Sequence, residues 1–239
     1  LLKERWSAFY ALFFARKMIQ ISVQAMTPKS RQPIEKAIKN RIYGKRRGWV
    51  FTPRDFLDLG SEDSIWPALS RLEEKGLVRR LNQGLYDYPK LHKVLGVLPP
   101  DVAIVAEAVA RKFQVRVQPT GAYAANILGL SEQVPGKVIF LTDGSSRSLP
   151  LKGMQIRFKK AAPKRMAVAG TISGLVFEAL RSLGSKQITS RHIKLLKNKL
   201  SLIDKKRLSL DAHLAPAWIS QIVRNELCFD QIKRVPQKS

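Results

Sequence analysis

Cysteine is almost absent from this chain of 239 residues: Cys228 stands alone, so no intramolecular disulfide can form. A thiolate zinc site is excluded on the same count, because such sites need several thiolates at short spacing. Histidine is nearly as scarce. His92, His192 and His213 lie far apart and make no HExxH-type pair. There is no Gly-x4-Gly-Lys-Ser/Thr loop, no Gly-x-Gly-x-x-Gly and no Gly-x-Ser-x-Gly elbow. Long apolar runs are missing too. The uncharged stretch Trp6–Ala15 is about half the ~20 residues a membrane span needs. These absences point to a reducing compartment, no metal, no cofactor and no membrane span.

Acidic residues are few, 18 against 43 Lys+Arg, which leaves a formal charge of +25. A balance this basic implies an acidic partner, with nucleic acid the default and an anionic membrane surface second. Net charge is +3 over residues 1–25, +6 over 26–90, +8 over 91–185 and +8 over 186–239. No single tail carries it. Apolar residues make up 45% of the chain, enough to bury a core.

Residues 1–31 read as an extension. Met26 reads as the natural start, with residues 1–25 as translated upstream sequence; an amphipathic surface helix and a signal peptide are the alternatives.

Residues 32–90 read as a winged helix-turn-helix. Ile34, Ala37, Ile38 and Ile42 mark a first helix, ended by Gly44-Lys-Arg-Arg-Gly48. Trp49–Phe51 is a short strand. Thr52-Pro53-Arg54-Asp55 opens a second helix that Gly60 stops, with Thr52 as cap and Asp55 returning a hydrogen bond. A third helix runs to about Lys75 with Ile65, Ala68, Leu69 and Leu72 on one face. Ser61 or Ser64 caps it, Ser64 being preferred because Pro67 then falls in the first turn. Leu77–Leu81 and Leu85–Tyr88 flank Asn82-Gln83-Gly84 as a hairpin.

The third helix would enter a major groove, with the hairpin on the backbone or in a minor groove. Ser64, Trp66, Ser70 and Arg71 would then face base edges or nearby phosphates. Arg79, Arg80, Asn82 and Gln83 would sit on the wing. Lys45, Arg46 and Arg47 would form a phosphate cluster, with Arg54 beside them. Glu62, Asp63, Glu73 and Glu74 on or near the third helix favour the competing reading, a winged helix that docks a protein.

Residues 91–235 read as a mixed α/β domain, making the whole chain α+β. Leu91–Pro100 reads as a connector. A helix follows over Val102–Phe113, a strand at Val115–Val117, and the small-residue-rich stretch Gly121 to Leu130 reads as a tight helix ending at Gly129. Strands are expected at Lys137–Thr142, Leu149–Leu151 and Met154–Phe158. Helices are expected around Ile172–Leu183, Ile188–Leu200 and Ala215–Leu227. Asp143 followed by Lys152, Arg157 and Lys159 invites a nuclease reading, but the strand that should supply acid-x-Lys reads Gln155-Ile156-Arg157. Ser145 and Ser146 read as turn residues and Cys228 as core. No enzyme is expected.

Two stretches resemble one family: Ala68-Leu-Ser-Arg-Leu-Glu-Glu-Lys-Gly-Leu-Val-Arg-Arg-Leu-Asn-Gln-Gly-Leu-Tyr86 and Pro119-Thr-Gly-Ala-Tyr-Ala-Ala-Asn-Ile-Leu-Gly-Leu130. Gln133-Val-Pro-Gly-Lys137, Leu141-Thr-Asp-Gly144 and Leu214-Ala-Pro-Ala-Trp218 extend the likeness. From about Arg31 to Leu227 the chain resembles the antitoxin-like proteins of the AbiE group, the type IV toxin–antitoxin systems. The resemblance implies a bacterial, cytoplasmic protein. Its winged helix would bind inverted repeats in its own operator and repress it. Its second domain would counteract a nucleotidyltransferase toxin.

Overall fold

Ile38 and Ile42 sit four residues apart and are fully buried, on one face of helix α1 (Ile34–Lys45). The structure is a computed structural model describing residues 34–228 apart from Val134 and Lys152. The expectations for residues 1–25 and for Met26 lie outside the described residues. The fold is mixed α+β, in two compact units.

In the first unit α1 is followed by β1 (Val50–Phe51), a 3-10 turn (Pro53–Phe56), α2 (Glu62–Glu74), β2 (Arg79–Asn82) and β3 (Leu85–Asp87). The strands form an antiparallel sheet in the order β1-β3-β2. One core holds them together. Ile38, Ile42, Ile65, Ala68, Leu69 and Leu72 from the helices meet Phe51, Phe56, Val78 and Tyr86. Trp49, Phe51 and Phe56 stack edge and face within it, at centroid distances of 4.7–5.8 Å.

Several expectations change here. The second helix is a single 3-10 turn. Its capping box does form, with the Thr52 N–H donating to the Asp55 carboxylate at 2.8 Å. The N-cap position of helix α2 is Ser61, not Ser64, with no cap hydrogen bond from its side chain, and Pro67 lies inside the helix. Proline there removes a hydrogen bond to the carbonyl of Asp63, but both residues are exposed, so water can serve that carbonyl. The connector is instead a small hairpin, β4 (Leu91–His92) and β5 (Gly96–Val97). Helix α3 (Val102–Phe113), capped by the Asp101 carboxylate, belongs to the first unit, which runs to Gln114 and includes Pro150–Gly153; the sequence division at residue 90 falls inside it.

The second unit contains β6 (Val117–Thr120), α4 (Gly121–Ile127), β7 (Lys137–Thr142), β8 (Arg147–Leu151) and β9 (Met154–Lys160). The sheet order is β6-β7-β9-β8, with β6 antiparallel and β9 parallel to β7. Then come α5 (Pro163–Met166), α6 (Ile172–Leu183), α7 (Ser190–Lys199), α8 (Leu202–Asp211) and α9 (Ala217–Ile222), the last continued by a π turn over Val223–Leu227. The expected strand Val115–Val117 begins only at Val117, because the Arg116 N–H and guanidinium are both held by Asp143. Helix α4 stops at Ile127, two residues short of the expected end at Gly129, which has φ 69. Cys228 is buried, as expected.

Inside this unit Glu178 of α6 is almost fully buried. Arg165 donates to both of its oxygens, the Thr120 hydroxyl donates to one of them, and Arg181 lies 3.5 Å away. The pairing raises the Arg165 pKa, whereas burial lowers that of Arg181. Among the described residues no helix is long and apolar enough to cross a membrane.

Candidate nucleic-acid interface

A cation that a carboxylate already holds offers less to a polyanion than an unpaired one. Most of the arginines expected to touch DNA are held. Arg79 closes a two-fold ion pair on the buried Asp87, at 3.0 and 2.6 Å, and donates to the Leu98 carbonyl at 3.2 Å. Arg80 donates to the Tyr86 hydroxyl at 2.8 Å and lies 3.5 Å from Glu73. Arg71 reaches Glu35 of α1 at 2.8 Å, and Lys75 reaches the other oxygen at 2.5 Å. Those two hydrogen bonds, Arg71's first, hold the Glu35 carboxyl below its usual range. Arg54 donates to the Lys112 carbonyl at 3.1 Å. Arg47 lies 4.6 Å from the centre of the Tyr88 ring and donates to the Pro89 carbonyl.

The neutral candidates are also engaged. Ser64 donates back to the Ser61 carbonyl at 2.8 Å, and Ser70 faces Glu74 at 3.4 Å. Asn82 accepts the Gln83 N–H at 2.8 Å, while the Gln83 carbonyl accepts from Lys112 Nζ at 2.6 Å. Trp66 stays 38% exposed, yet its ring lies over the β2–β3 turn. A side chain at Gly84 would come within 3.3 Å of that ring and 3.1 Å of Lys112 Nζ, and Gly84 also has φ +62. The positive φ favours glycine there, and the close approach of Trp66 and Lys112 leaves little room for a side chain. The tip of the β2–β3 hairpin is folded down onto α2 and α3.

Helix α2 carries Glu62, Asp63, Glu73 and Glu74 against Arg71, a net −3. The first two complement the helix dipole. Among the described residues, the exposed cations without a carboxylate partner lie elsewhere. Lys45 ends α1, and Arg46 follows it at φ 66. Lys36 and Lys39 lie on the outer side of α1. Lys90 and Lys93 flank β4. In the second unit Arg191, Lys194 and Lys197 recur every third residue on the exposed side of α7, which contains no acid. Arg157 and Lys159 alternate on the exposed face of β9. Lys36, Lys39, Lys90 and Lys93 are not among the contacts expected from the sequence. For Lys90 and Lys93 the acid-free stretch between Asp87 and Asp101 is the visible sign in the sequence.

The nuclease reading finds Asp143 held by Arg116 at 2.8 Å through both backbone and side chain. Burial pushes its carboxyl up, but those hydrogen bonds outweigh it and the net shift is downward. Among the described residues no three His, Cys, Asp or Glu side chains group so as to hold a metal ion.

A family profile covers residues 36–208. The chain belongs to DUF6088, a family of unknown function. The DUF6088 span starts inside α1 and ends inside α8, so it runs through both units. All twelve candidate contacts, Lys45 to Gln83, fall within it, as do Lys90, Lys93 and the α7 cations. No curated protein matches the chain.

Proposed function

We propose that the chain is a double-stranded-DNA-binding transcriptional regulator. One observation carries this reading: the described carboxylates are largely taken up by arginines and helix caps, while among the described residues Lys36, Lys45, Arg46, Lys90, Lys93, Arg157, Lys159, Arg191, Lys194 and Lys197 have no carboxylate partner. A surplus of that kind is an electrostatic footprint for phosphates. The element order of the first unit, helix, strand, turn, helix, hairpin, supports a winged helix-turn-helix as its carrier. Resemblance to AbiE-type proteins extends the proposal to an autorepressor and antitoxin of a bacterial cytoplasm, acting on operator inverted repeats and opposite a nucleotidyltransferase toxin.

The net −3 of α2 favours a second reading, in which that helix docks a protein partner and DNA is held by α1 and the hairpins. One experiment separates them. Binding of the purified chain to its own upstream DNA and to random DNA is followed by fluorescence anisotropy over a salt series. Preference for the upstream DNA at near-physiological salt supports the regulator. Equal and salt-labile binding to both moves the protein-docking reading to first place.

A further inference from the structure

A second hairpin projects from the first unit. In β4–β5 every residue from Leu91 to Val97 is exposed, including Leu91 at 57%, Val94 at 85%, Leu95 at 71% and Val97 at 53%. Soluble proteins seldom display four neighbouring apolar side chains on so short an element. The tip is built rather than loose. His92 Nδ1 accepts from the N–H groups of both Val94 and Leu95 at 3.2 Å, and Gly96 supplies the positive φ that closes the turn. The base is fastened as well. The Leu98 N–H donates to the Lys90 carbonyl at 2.9 Å, Arg79 grips the Leu98 carbonyl, and Arg47 grips the Pro89 carbonyl.

Three facts narrow the occupant. Between Asp87 and Asp101 the chain has Lys90 and Lys93 and no acid, so the patch complements a polyanion. Four side chains fall far short of the ~800 Å² per partner that a stable protein interface buries, and two such basic tips would repel one another. The β2–β3 tip, by contrast, is tied down by Trp66 and Lys112 and cannot project.

We propose that β4–β5, and not β2–β3, is the hairpin that enters a groove of duplex DNA, Val94 and Leu95 pressing between base steps while Lys90 and Lys93 hold the flanking phosphates. Apolar wedges of this kind partly unstack the step they enter, most readily at flexible pyrimidine–purine steps. The inference rests on the DNA-binding reading above.

The test uses the full chain and mixed-sequence duplexes carrying 2-aminopurine at TA steps, whose fluorescence rises on unstacking. Anisotropy is recorded in parallel. The wild type is expected to bind and to brighten the probe. Val94→Ser/Leu95→Ser, at exposed positions outside the core, is expected to keep its circular dichroism, lose the brightening and bind about tenfold more weakly. Lys90→Gln/Lys93→Gln is expected to weaken binding and flatten its salt dependence. No binding by the wild type would sink the DNA-binding reading itself and the hairpin proposal with it. Binding with a dark probe, or equal brightening by the serine variant, would overturn the hairpin proposal alone. So would a wild-type dimer that the serine variant converts to monomer in sedimentation, because the tip would then meet a second copy.

Discussion

Arg79 on β2 and Asp87 on β3 face one another across the strand pair, and the buried carboxylate takes two hydrogen bonds from the guanidinium. The same guanidinium reaches the Leu98 carbonyl, so one side chain fastens both hairpins. Arg79→Ala is expected to strand Asp87 and cost roughly 3 kcal/mol, toward the lower end for a broken buried pair because Arg79 itself is part-exposed. Urea unfolding measures it. A variant that unfolds like the wild type but loses DNA would make Arg79 a phosphate contact instead.

Glu35 joins α1 to α2 through Arg71 and Lys75. Its folded carboxyl lies below the unfolded range, about 4.3. The link therefore contributes above that range and is lost as pH falls through the lower folded value. Carboxyl NMR titration should show Glu35 titrating at higher pH in Arg71→Ala than in the wild type. Glu35→Gln should bind DNA more tightly at neutral pH, because two cations are released to phosphate. Unchanged affinity would mean that Arg71 and Lys75 face away from the nucleic acid.

Arg46 is exposed and has no carboxylate partner among the described residues. Arg46→Ala is expected to weaken binding to all sequences alike and to reduce the slope of log K against log salt by about 0.9. Arg71→Ala is expected to act differently, relaxing the preference for upstream over random DNA. Identical losses for both variants on both DNAs would remove α2 from the recognition surface.

Glu178 neutralises Arg165 and Arg181 within the second unit. Glu178→Gln is expected to destabilise that unit by roughly 3 kcal/mol, since it leaves two part-buried guanidiniums without a counter-charge. Differential scanning calorimetry would register a lowered transition. A wild-type melting profile would show that water compensates the arginines.

The core of the first unit was legible because its apolar residues keep helical spacing. Ile38, Ile42, Ile65, Leu69 and Leu72 were named from periodicity and are all buried. Helix α8 escaped notice for the converse reason. Leu202, Ile203 and Leu210 are exposed, so the apolar pattern does not track burial, although Ser201 and Asp204 form a capping box that could have marked its start. The site was less legible than the fold. Arg71 and Glu35 are 36 residues apart, and which cation a carboxylate holds is settled by tertiary packing. The Arg79–Asp87 pair was readable from hairpin register alone. The β4–β5 hairpin is obscured by the prolines on either side of it, Pro89, Pro99 and Pro100, and by its lack of alternation.

Cys228 closes the last described turn with its thiol buried, and burial raises its pKa. The first unit has no thiol at all. A single thiol shielded in one half of the molecule is a clock for that half. The rate at which an alkylating reagent captures it would time the opening of the second unit separately from the first. Chemical labelling could thus divide the stability of the two units without cutting the chain.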